Sequence, residues 1–331
     1  MIVRKLIGAM IMISASLNAH GVKFSERADV QSFIDSMTVE HNFERTHLIK
    51  AFNAFESSED IIAKITKPAE SLTWERYRGI FLNEKRIKNG VLFWEKHKTT
   101  LAKAERNYGT PASVVVAIIG VETLYGENKG NYPVLQALAT LAFDYPQRAP
   151  FFKQELREYL LLTREQKIDP SVMTGSYAGA IGVPQFMPSS YRNFAVDFDR
   201  SGSIDLVNNV TQSIGSVSNY LKKHGWQANQ PIVHQAVIVG DQYKKLAVAK
   251  YNSPLPNIDW SVLRSHGINI KHKVSSELKN LSLIELSNND SKEYWLGEQN
   301  FYAITRYNHN NSYAMAVHQL SEAIKTHRDK K

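Results

Sequence analysis

The stretch VVVAIIGVETLYG, residues 114–126, decides the fold of this chain. Its first eight residues are apolar or glycine, and Glu122 is its only charged residue. Thr110 and Pro111 precede the stretch and predict the start of a helix with Thr110 as its cap, while Gly126 predicts its end. Because the residues between them are apolar on every side, we expect a helix that is buried in a core and too short to cross a membrane.

Glu122 would lie in the last turn of that helix, where two effects disfavour a charged carboxyl group. Burial raises the pKa of a carboxyl group, and the negative end of the helix dipole repels an anion. A carboxylic acid that stays protonated near neutral pH can act as a general acid. The helix taken alone leaves an alternative open, in which Glu122 lies on an exposed edge or pairs with an arginine.

Composition and charge restrict the class of protein. The chain has 331 residues, 43% hydrophobic and 22% charged, which is typical of a soluble globular protein of about two or three domains. It has no cysteine, which excludes disulfides, thiolate metal sites and a lipid-anchored cysteine. The formal net charge of +8 suits an anionic polymer or membrane headgroups. The basic residues are scattered and no nucleic-acid-binding motif occurs, so we expect no nucleic acid partner; no feature predicts an oligomer, so we expect a monomer.

Residues 1–20 predict a secretory signal peptide. Arg4 and Lys5 are followed by an apolar run at residues 6–17 and by the small residue Ala19, in the order expected of a signal with a cleavage site. A membrane anchor is the alternative, but the run is shorter than the roughly 20 residues that a span requires. We therefore expect an exported protein without a stable membrane anchor.

The rest of the chain predicts a mainly α structure with a smaller β region, an α+β arrangement. Residues 21–105 show helical spacing of apolar residues, with Ser25 as a cap and Gly90 as a break. Residues 106–225 contain short helices separated by clusters of Gly, Pro and Ser. This second segment holds most of the candidate functional residues.

Residues 226–299 differ from the helical segments that precede them. PIVHQAVIV and INIKHKVS contain β-branched residues in alternation, ending at Val274, and EYWLGEQNFYAITRY predicts a hairpin that turns near Gly297. We expect a small β-rich domain there. Residues 300–331 return to helical spacing, and we expect them to complete the N-terminal helical domain.

A second cluster of candidate residues lies in GSYAGAIGVPQFMPSSY, residues 175–191. Its small residues let the backbone approach a ligand or another segment closely. Ser176 and Gln185 offer hydrogen bonds, and the mixture of polar groups with flat rings suits a polysaccharide groove. The flat surfaces are those of Tyr177, Phe186 and Tyr191. The alternative is a glycine-rich packing turn without a ligand.

Five motifs in this order resemble the B-type lytic murein transglycosylases, which are bacterial cell-wall lyases with a lysozyme-like core. The motifs are VETLYG, FDYPQRAPFFKQEL, GSYAGAIGVPQFMPSSY, IGSVSNYLKKHGW and RYN. The similarity covers nearly the whole chain after the signal segment, and several long motifs together are far more specific than one Glu or one Gly-rich loop. The resemblance implies a lysozyme-like catalytic core at residues 106–225, peptidoglycan strands as the partner and a periplasmic location.

The resemblance also implies roles for individual residues. Glu122, in VETLYG, matches the family's single catalytic acid. Arg148, in DYPQRA, matches one of two adjacent basic residues that face the peptide stem; the first of them is Gln147 here, so we expect weaker affinity for the peptide. Substrate contacts are implied for Ser176, Gln185, Tyr307, Asn308, Tyr313 and Tyr77, and we add Phe186 to these as a flat surface for a sugar ring.

The reaction that the resemblance implies uses one acid, whereas most glycosidases use two carboxylates. Glu122 would protonate the bond oxygen between N-acetylmuramic acid and N-acetylglucosamine, with help from the substrate's acetamido group. It would then deprotonate the 6-hydroxyl, which closes onto the anomeric carbon to give a 1,6-anhydro end. No cofactor is required. Two alternatives stay open: a lysozyme-like hydrolase, in which water attacks, and a non-catalytic peptidoglycan-binding scaffold.

The segment DFDRSGSIDLVN, residues 197–208, resembles an EF-hand calcium loop, and the family often has an ion loop here. Asn208 stands at the twelfth position, where a bidentate Glu is expected. The missing Glu lowers the expected affinity, so a calcium site and a relic turn both remain open. No zinc motif occurs among the histidines. The predicted calcium ligands are Asp197, Asp199, Ser201 and the carbonyl of Ser203.

Overall fold

The computed structural model describes residues 22–67, 72–246, 248–272 and 278–330. The predicted signal peptide at residues 1–20 and Val274 of the predicted strand lie outside the described residues. The chain divides into two compact units, one ending at Ser58 and the other beginning at Glu59.

The first unit contains a 3-10 turn at Phe24–Glu26 and two helices, α1 (Ala28–His41) and α2 (Arg45–Asn53). The apolar face predicted for α1 is buried, and the rings of Phe33 and Phe52 meet edge to face at 6.2 Å. The predicted cap at Ser25 is wrong. Ser25 lies in the 3-10 turn, and its hydroxyl donates a hydrogen bond of 2.9 Å to the Asn53 side chain.

The second unit is mainly helical and carries a small sheet. Two short strands, β1 (Tyr132–Pro133) and β2 (Thr174–Gly175), pair antiparallel within the helical part. The helices are α3 (Glu59–Thr66), α4 (Trp74–Phe81), α5 (Glu84–Lys96), α6 (Lys98–Tyr108), α7 (Ala112–Thr123), α8 (Val134–Asp144), α9 (Ala149–Glu165), α10 (Pro188–Phe194), α11 (Val210–Lys223), α12 (Trp260–Ser265), α13 (Gln299–Thr305) and α14 (Asn311–Asp329).

Helix α7 forms the centre of this unit. Every residue from Ala112 to Gly120 is buried, and α5, α6, α11 and α14 pack around the helix. Its start differs from the prediction, because Thr110 is buried and its hydroxyl has no hydrogen-bond partner within the described residues. The carboxylate of Glu105 instead accepts the backbone N–H of Ala112 at 3.2 Å. A side chain from the preceding helix therefore satisfies a free N–H at this helix start.

The end of α7 is bent by three successive residues with positive φ. Leu124, Tyr125 and Gly126 have φ values of 50°, 64° and 94°. This bend folds the ring of Tyr125 back onto the helix, where a Cβ added to Gly120 would lie 2.6 Å from the ring. The Tyr125 hydroxyl then donates to the Arg86 carbonyl at 2.8 Å, which joins the end of α7 to α5.

Gly90 does not break a helix as predicted. It lies inside α5, where a Cβ would meet the Tyr125 hydroxyl and the side chain of Ile324 at 2.6 Å. Its absent side chain therefore allows close packing between α5, the end of α7 and α14. The boundary between α5 and α6 falls at His97 instead.

The sheet has five strands in the order β4-β6-β7-β3-β5. β4 is parallel to β6, and the other pairs are antiparallel. Its core comprises Leu263, Ile268, Leu278, Leu281, Leu283 and Leu296. The strands are β3 (Val233–Ile238), β4 (Val248–Ala249), β5 (Ile268–Ile270), β6 (Ser282–Ser287) and β7 (Lys292–Gly297).

The hairpin predicted near Gly297 is wrong in position. Gly297 ends β7 and pairs with Ser282, so the turn lies at residues 288–291 and the residues after β7 form α13. The C-terminal helix α14 packs on α4, α5 and α7, as expected of a segment that completes the helical part. The boundaries of the predicted domains stay predictions. Among the described residues, no helix has the length and apolarity needed to cross a membrane.

Gly120→Ala should destabilise the protein by about 1–3 kcal/mol, because its Cβ overlaps the Tyr125 ring in a closely packed core. Gly79→Ala is the control, since no atom lies within 4 Å of the added Cβ and alanine favours the helix. Urea unfolding of both variants measures the difference. A Gly120→Ala variant as stable as Gly79→Ala would contradict this account of the bend.

Candidate active site

Glu122 lies in the last turn of α7 with its side chain half-buried. Burial of the carboxyl group raises the pKa of Glu122 to about 7. The Tyr313 hydroxyl donates a hydrogen bond of 2.5 Å to Glu122 Oε1, and this bond acts in the opposite direction because it favours the charged form. The carboxyl group is therefore poised to hold a proton near neutral pH and to release it again.

No second carboxyl group in the described residues is close enough to Glu122 to shift its pKa. Glu127, the next acid along the chain, is exposed. The alternative in which Glu122 pairs with an arginine is not observed in the described part of the chain, where Tyr313 is its hydrogen-bond partner. Among the described residues, Glu122 therefore has a neutral hydrogen-bond partner and no carboxylate near enough to affect its pKa.

The residue after Glu122 joins the helix end to the glycine-rich loop. Thr123 Oγ1 donates a hydrogen bond of 2.9 Å to the Val183 carbonyl and accepts the backbone N–H of Gly126 at 3.0 Å. Thr123 is buried, so both bonds are shielded from water. The acid and the loop predicted to bind substrate are thus fixed to each other through one side chain.

Ser176 and Gln185 are held by the turns of this loop. Ser176 Oγ accepts the backbone N–H of Ala180 at 3.0 Å, which leaves its own proton for another acceptor. Gln185 has a φ of 51°, and its Nε2 donates to the carbonyls of Lys129 and Gly182 at 3.1 and 2.9 Å. Since both amide hydrogens are committed, the Gln185 side chain can offer a ligand only its oxygen.

Aromatic side chains pack against this loop and form a wall of the site. The Tyr307 hydroxyl donates to the Pro184 carbonyl at 2.6 Å, and the Tyr307 ring stacks on Tyr313 at 6.4 Å. Phe186, also predicted to contact substrate, is only 2% exposed, and its ring lies 5.8 Å from that of Tyr307. Its contact with substrate stays a prediction. Tyr313 is also buried and contacts Glu122.

Tyr77 approaches the acid from α4. Burial and the nearby charge of Glu122 raise the pKa of Tyr77 to about 12, so it stays a neutral hydrogen-bonding group. A cavity of about 390 Å³ adjoins Tyr77, and no motif in the sequence predicts it. The cavity is lined by Leu72, Trp74, Tyr77, Lys250, Tyr251, Glu285, Leu286, Ser287, Lys292, Asn310 and Ser312.

Asn308 and Arg148, two further predicted site residues, are both exposed. Asn308 follows Tyr307 directly, so it lies at the edge of the aromatic wall. Arg148 precedes α9, and its guanidinium stacks on the rings of Phe151 and Phe152 at 4.5 and 5.3 Å. This stacking holds a positive charge at the surface without neutralising it.

The four predicted calcium ligands come together, but around an unexpected residue. Gln212 is only 1% exposed, and its Nε2 lies within 3.2 Å of an oxygen from each of the four residues. Asn208, predicted at the twelfth position, turns away and donates to Asp205 at 3.0 Å. In the described part of the chain, no group of three or more His, Cys, Asp or Glu side chains could hold a metal ion.

Comparison with known proteins assigns the family. The sequence matches the family described as "Transglycosylase SLT domain" over residues 25–322. It is 37% identical over 319 residues to membrane-bound lytic murein transglycosylase B of Escherichia coli, which covers 92% of this chain and 84% of that protein. The chain belongs to the B-type lytic murein transglycosylases.

Solved structures of two lytic transglycosylases have the same fold. Catenated SltB1 from Pseudomonas aeruginosa matches with a TM-score of 0.85 and 44% identity, over 92% of this chain and 99% of that one. Escherichia coli Slt35 in complex with calcium matches with a TM-score of 0.83 and 36% identity, over 93% of this chain and 96% of that one. The predicted fold class, mainly α with a small β region and a lysozyme-like core, is confirmed.

Two residues of this lytic transglycosylase were not predicted from the sequence as parts of a site. Tyr220 is buried in the aromatic wall, where its ring meets Tyr307 at 4.8 Å and Phe186 at 5.5 Å. It lies in IGSVSNYLKKHGW, a motif that itself carried the family resemblance, so the motif contained the signal. Gln212 lies just before that motif, and nothing in its local sequence distinguishes it from an ordinary helix residue.

Tyr313→Phe should raise the pKa of Glu122 above about 7, because it removes the hydrogen bond that favours the carboxylate. The alkaline limb of the pH profile of kcat/KM should move to higher pH by about one unit. Tyr159→Phe is the matched control, since the Tyr159 hydroxyl donates to the Pro170 carbonyl elsewhere in the unit. The proposed contact is refuted if both variants show the wild-type limb.

Proposed function

We propose that this protein cleaves the β-1,4 bond between N-acetylmuramic acid and N-acetylglucosamine in peptidoglycan and leaves a 1,6-anhydromuramoyl end. The observation that carries the proposal is Glu122, a single carboxyl group whose pKa is raised to about 7 by burial in a tyrosine-lined site. General acid catalysis is most effective when the pKa of the acid lies near the working pH. Membership in the lytic transglycosylase family supports the same reaction.

The first step is proton transfer from Glu122 to the glycosidic oxygen. The bond between that oxygen and the anomeric carbon of the muramoyl residue breaks, and the acetylglucosamine unit leaves as an alcohol. The substrate's acetamido group assists departure, because the described site contains no second carboxylate that could serve as a nucleophile. Tyr313 stabilises the carboxylate that Glu122 becomes.

The second step returns the proton to Glu122. The carboxylate accepts the proton of the muramoyl 6-hydroxyl, and the oxygen closes onto the anomeric carbon to form the anhydro ring. Atoms balance without water, so the reaction is a lyase reaction. Its groups are Glu122 and the substrate itself, and it requires no cofactor.

Sugar recognition in this proposal comes from neutral side chains. The Gln185 oxygen accepts from a hydroxyl or acetamido N–H, while the Ser176 hydroxyl donates. Tyr77 and Tyr307 present rings to the sugar, and the cavity beside Tyr77 accommodates a further unit. Asn308 completes the rim, and the free guanidinium of Arg148 faces the carboxylates of the peptide stem.

The proposed partner and location follow from the substrate. Peptidoglycan strands lie in the periplasm, which agrees with the signal peptide expected at residues 1–20 and with the net charge of +8. We propose that the protein acts there as a monomer without a stable membrane anchor.

Glu122→Gln should reduce cleavage of purified sacculi by about 10²–10⁴-fold, because the amide cannot donate the proton. Glu127→Gln, the same change at an exposed acid, should leave cleavage unchanged. Mass spectrometry of the wild-type products should show muramoyl ends lighter by one water than lysozyme products. Reducing ends of full mass would favour the hydrolase, no cleavage by the wild type would favour the scaffold, and an active Glu122→Gln would exclude Glu122 as the acid.

The same pair of variants tests burial of the acid through stability. The pKa of Glu122 rises from about 4.3 in the unfolded chain to about 7 in the folded protein, so wild-type stability should fall as pH rises through that interval. Glutamine does not titrate. The melting temperature of Glu122→Gln relative to wild type should therefore be higher at pH 8 than at pH 4.5 by about 2 °C or more. An equal difference at both pH values would show that the carboxyl is not buried.

A further inference from the structure

The loop at residues 197–208 closes around an amide group. Gln212 Nε2 lies 2.9 Å from Asp199 Oδ1, 2.9 Å from Ser201 Oγ, 2.6 Å from the Ser203 carbonyl and 3.2 Å from Asp197 Oδ1. These oxygens come from the first, third, fifth and seventh positions of an EF-hand loop, which hold the cation in a calcium-binding protein. The amide nitrogen therefore stands where a calcium ion would be coordinated.

The orientation of this amide is fixed by a partner outside the four oxygens. Gln212 Oε1 accepts the backbone N–H of Asp205 at 2.5 Å. A backbone N–H requires an acceptor, so the oxygen must face Asp205 and the NH₂ group must face the loop. Gln212 is itself held in the first turn of α11, because the Asn209 side chain caps the helix by accepting the Gln212 N–H at 3.1 Å.

The donor set fits an amide better than a calcium ion. Calcium takes six to eight oxygens at about 2.3–2.6 Å, including a bidentate carboxylate at the end of the loop. Here the residue that reaches the centre is neutral, and Asn208 is turned towards Asp205. The two carboxylates are already satisfied: Asp197 accepts the backbone N–H groups of Ser201 and Gly202, and Asp199 accepts from Asn209.

We propose that the buried side-chain amide of Gln212 replaces the cation of this loop, so that the loop is closed and stable without calcium. Asn209 Nδ2 and Gln212 Nε2 both donate to the Asp199 carboxylate, at 2.6 and 2.9 Å. The relative Slt35 was solved in complex with calcium. In this chain, the amide group lies at the centre of the loop, and the loop needs no cation there.

Closure of the loop matters for the rest of the protein, because the residues that follow support the substrate cleft. The Leu206 carbonyl accepts the backbone N–H of Val183 at 2.8 Å, next to the residues that hold Gln185. The Val207 carbonyl accepts from Lys129 Nζ at 2.7 Å, and the Lys129 carbonyl in turn accepts from Gln185. The amide of Gln212 therefore stabilises one wall of the cleft by way of a short chain of hydrogen bonds to backbone carbonyls.

The test compares wild type with Gln212→Glu by calorimetric titration with calcium chloride and by melting temperature in chelator and in millimolar calcium. Wild type should bind no calcium and melt at the same temperature in both buffers. Gln212→Glu places a third carboxylate at the centre of the loop, so its melting temperature should fall in chelator and rise by about 5 °C or more in calcium.

Two controls separate a rebuilt calcium site from a general charge effect. Gln227→Glu adds the same charge at an exposed position and should show no response to calcium. Adding Asp199→Asn to Gln212→Glu removes a ligand and should abolish the calcium response. If Gln212→Glu folds only in the presence of calcium, that result also supports the proposal.

Calcium binding by the wild type with a rise in its melting temperature would overturn the proposal. A folded Gln212→Glu variant that ignores calcium would overturn it as well, because its carboxylate would not then occupy the position of the last ligand. If that variant does not fold in either buffer, the wild-type titration decides between the two outcomes. Neither measurement uses catalytic activity, so the proposed reaction and the amide closure are tested separately.

Discussion

Enclosure of one carboxyl group without a counter-charge is the constraint on which the rest of this structure depends. Burial disfavours the charged form of Glu122 and raises its pKa. One neutral donor, the Tyr313 hydroxyl, partly offsets this rise in pKa. An arginine or lysine in that place would hold the pKa far below neutral and remove the proton that the proposed reaction needs. The tyrosine leaves the pKa near 7, which suits a group that gives and then accepts a proton.

Helix α7 and the bend that follows it fix the position of Glu122. Helix α7 is buried on every side, so the position of Glu122 is set by core packing and not by surface contacts. The bend at Leu124–Gly126 brings Tyr125 onto Gly120 and ties the helix end to α5. Thr123 then fixes the glycine-rich loop to the same point through the Val183 carbonyl. The acid and the groups around it are therefore joined directly by packing and hydrogen bonds.

Features that depend on local pattern could be predicted from the sequence, and those that depend on distant partners could not. The apolar run around Glu122 is enough to predict a buried helix with the acid in its last turn, and the family motifs predict the residues around it. The cap of α7 comes from Glu105 in the preceding helix, and Gly90 is a glycine because Tyr125 and Ile324 pack against it. Neither the Glu105 cap nor the packing against Gly90 can be predicted from the neighbouring residues in the sequence.

The EF-hand-like loop is another feature that the local sequence pattern predicts only in part. The oxygens of Asp197, Asp199, Ser201 and Ser203 converge, and that geometry is local to the loop. What they converge on is set by Gln212, which the loop pattern does not include. A neutral amide satisfies the loop with hydrogen bonds, as Tyr313 satisfies Glu122 and Tyr307 satisfies the Pro184 carbonyl. Neutral hydrogen bonds thus fix the walls of the site, which leaves the charge state of Glu122 to be governed by its burial.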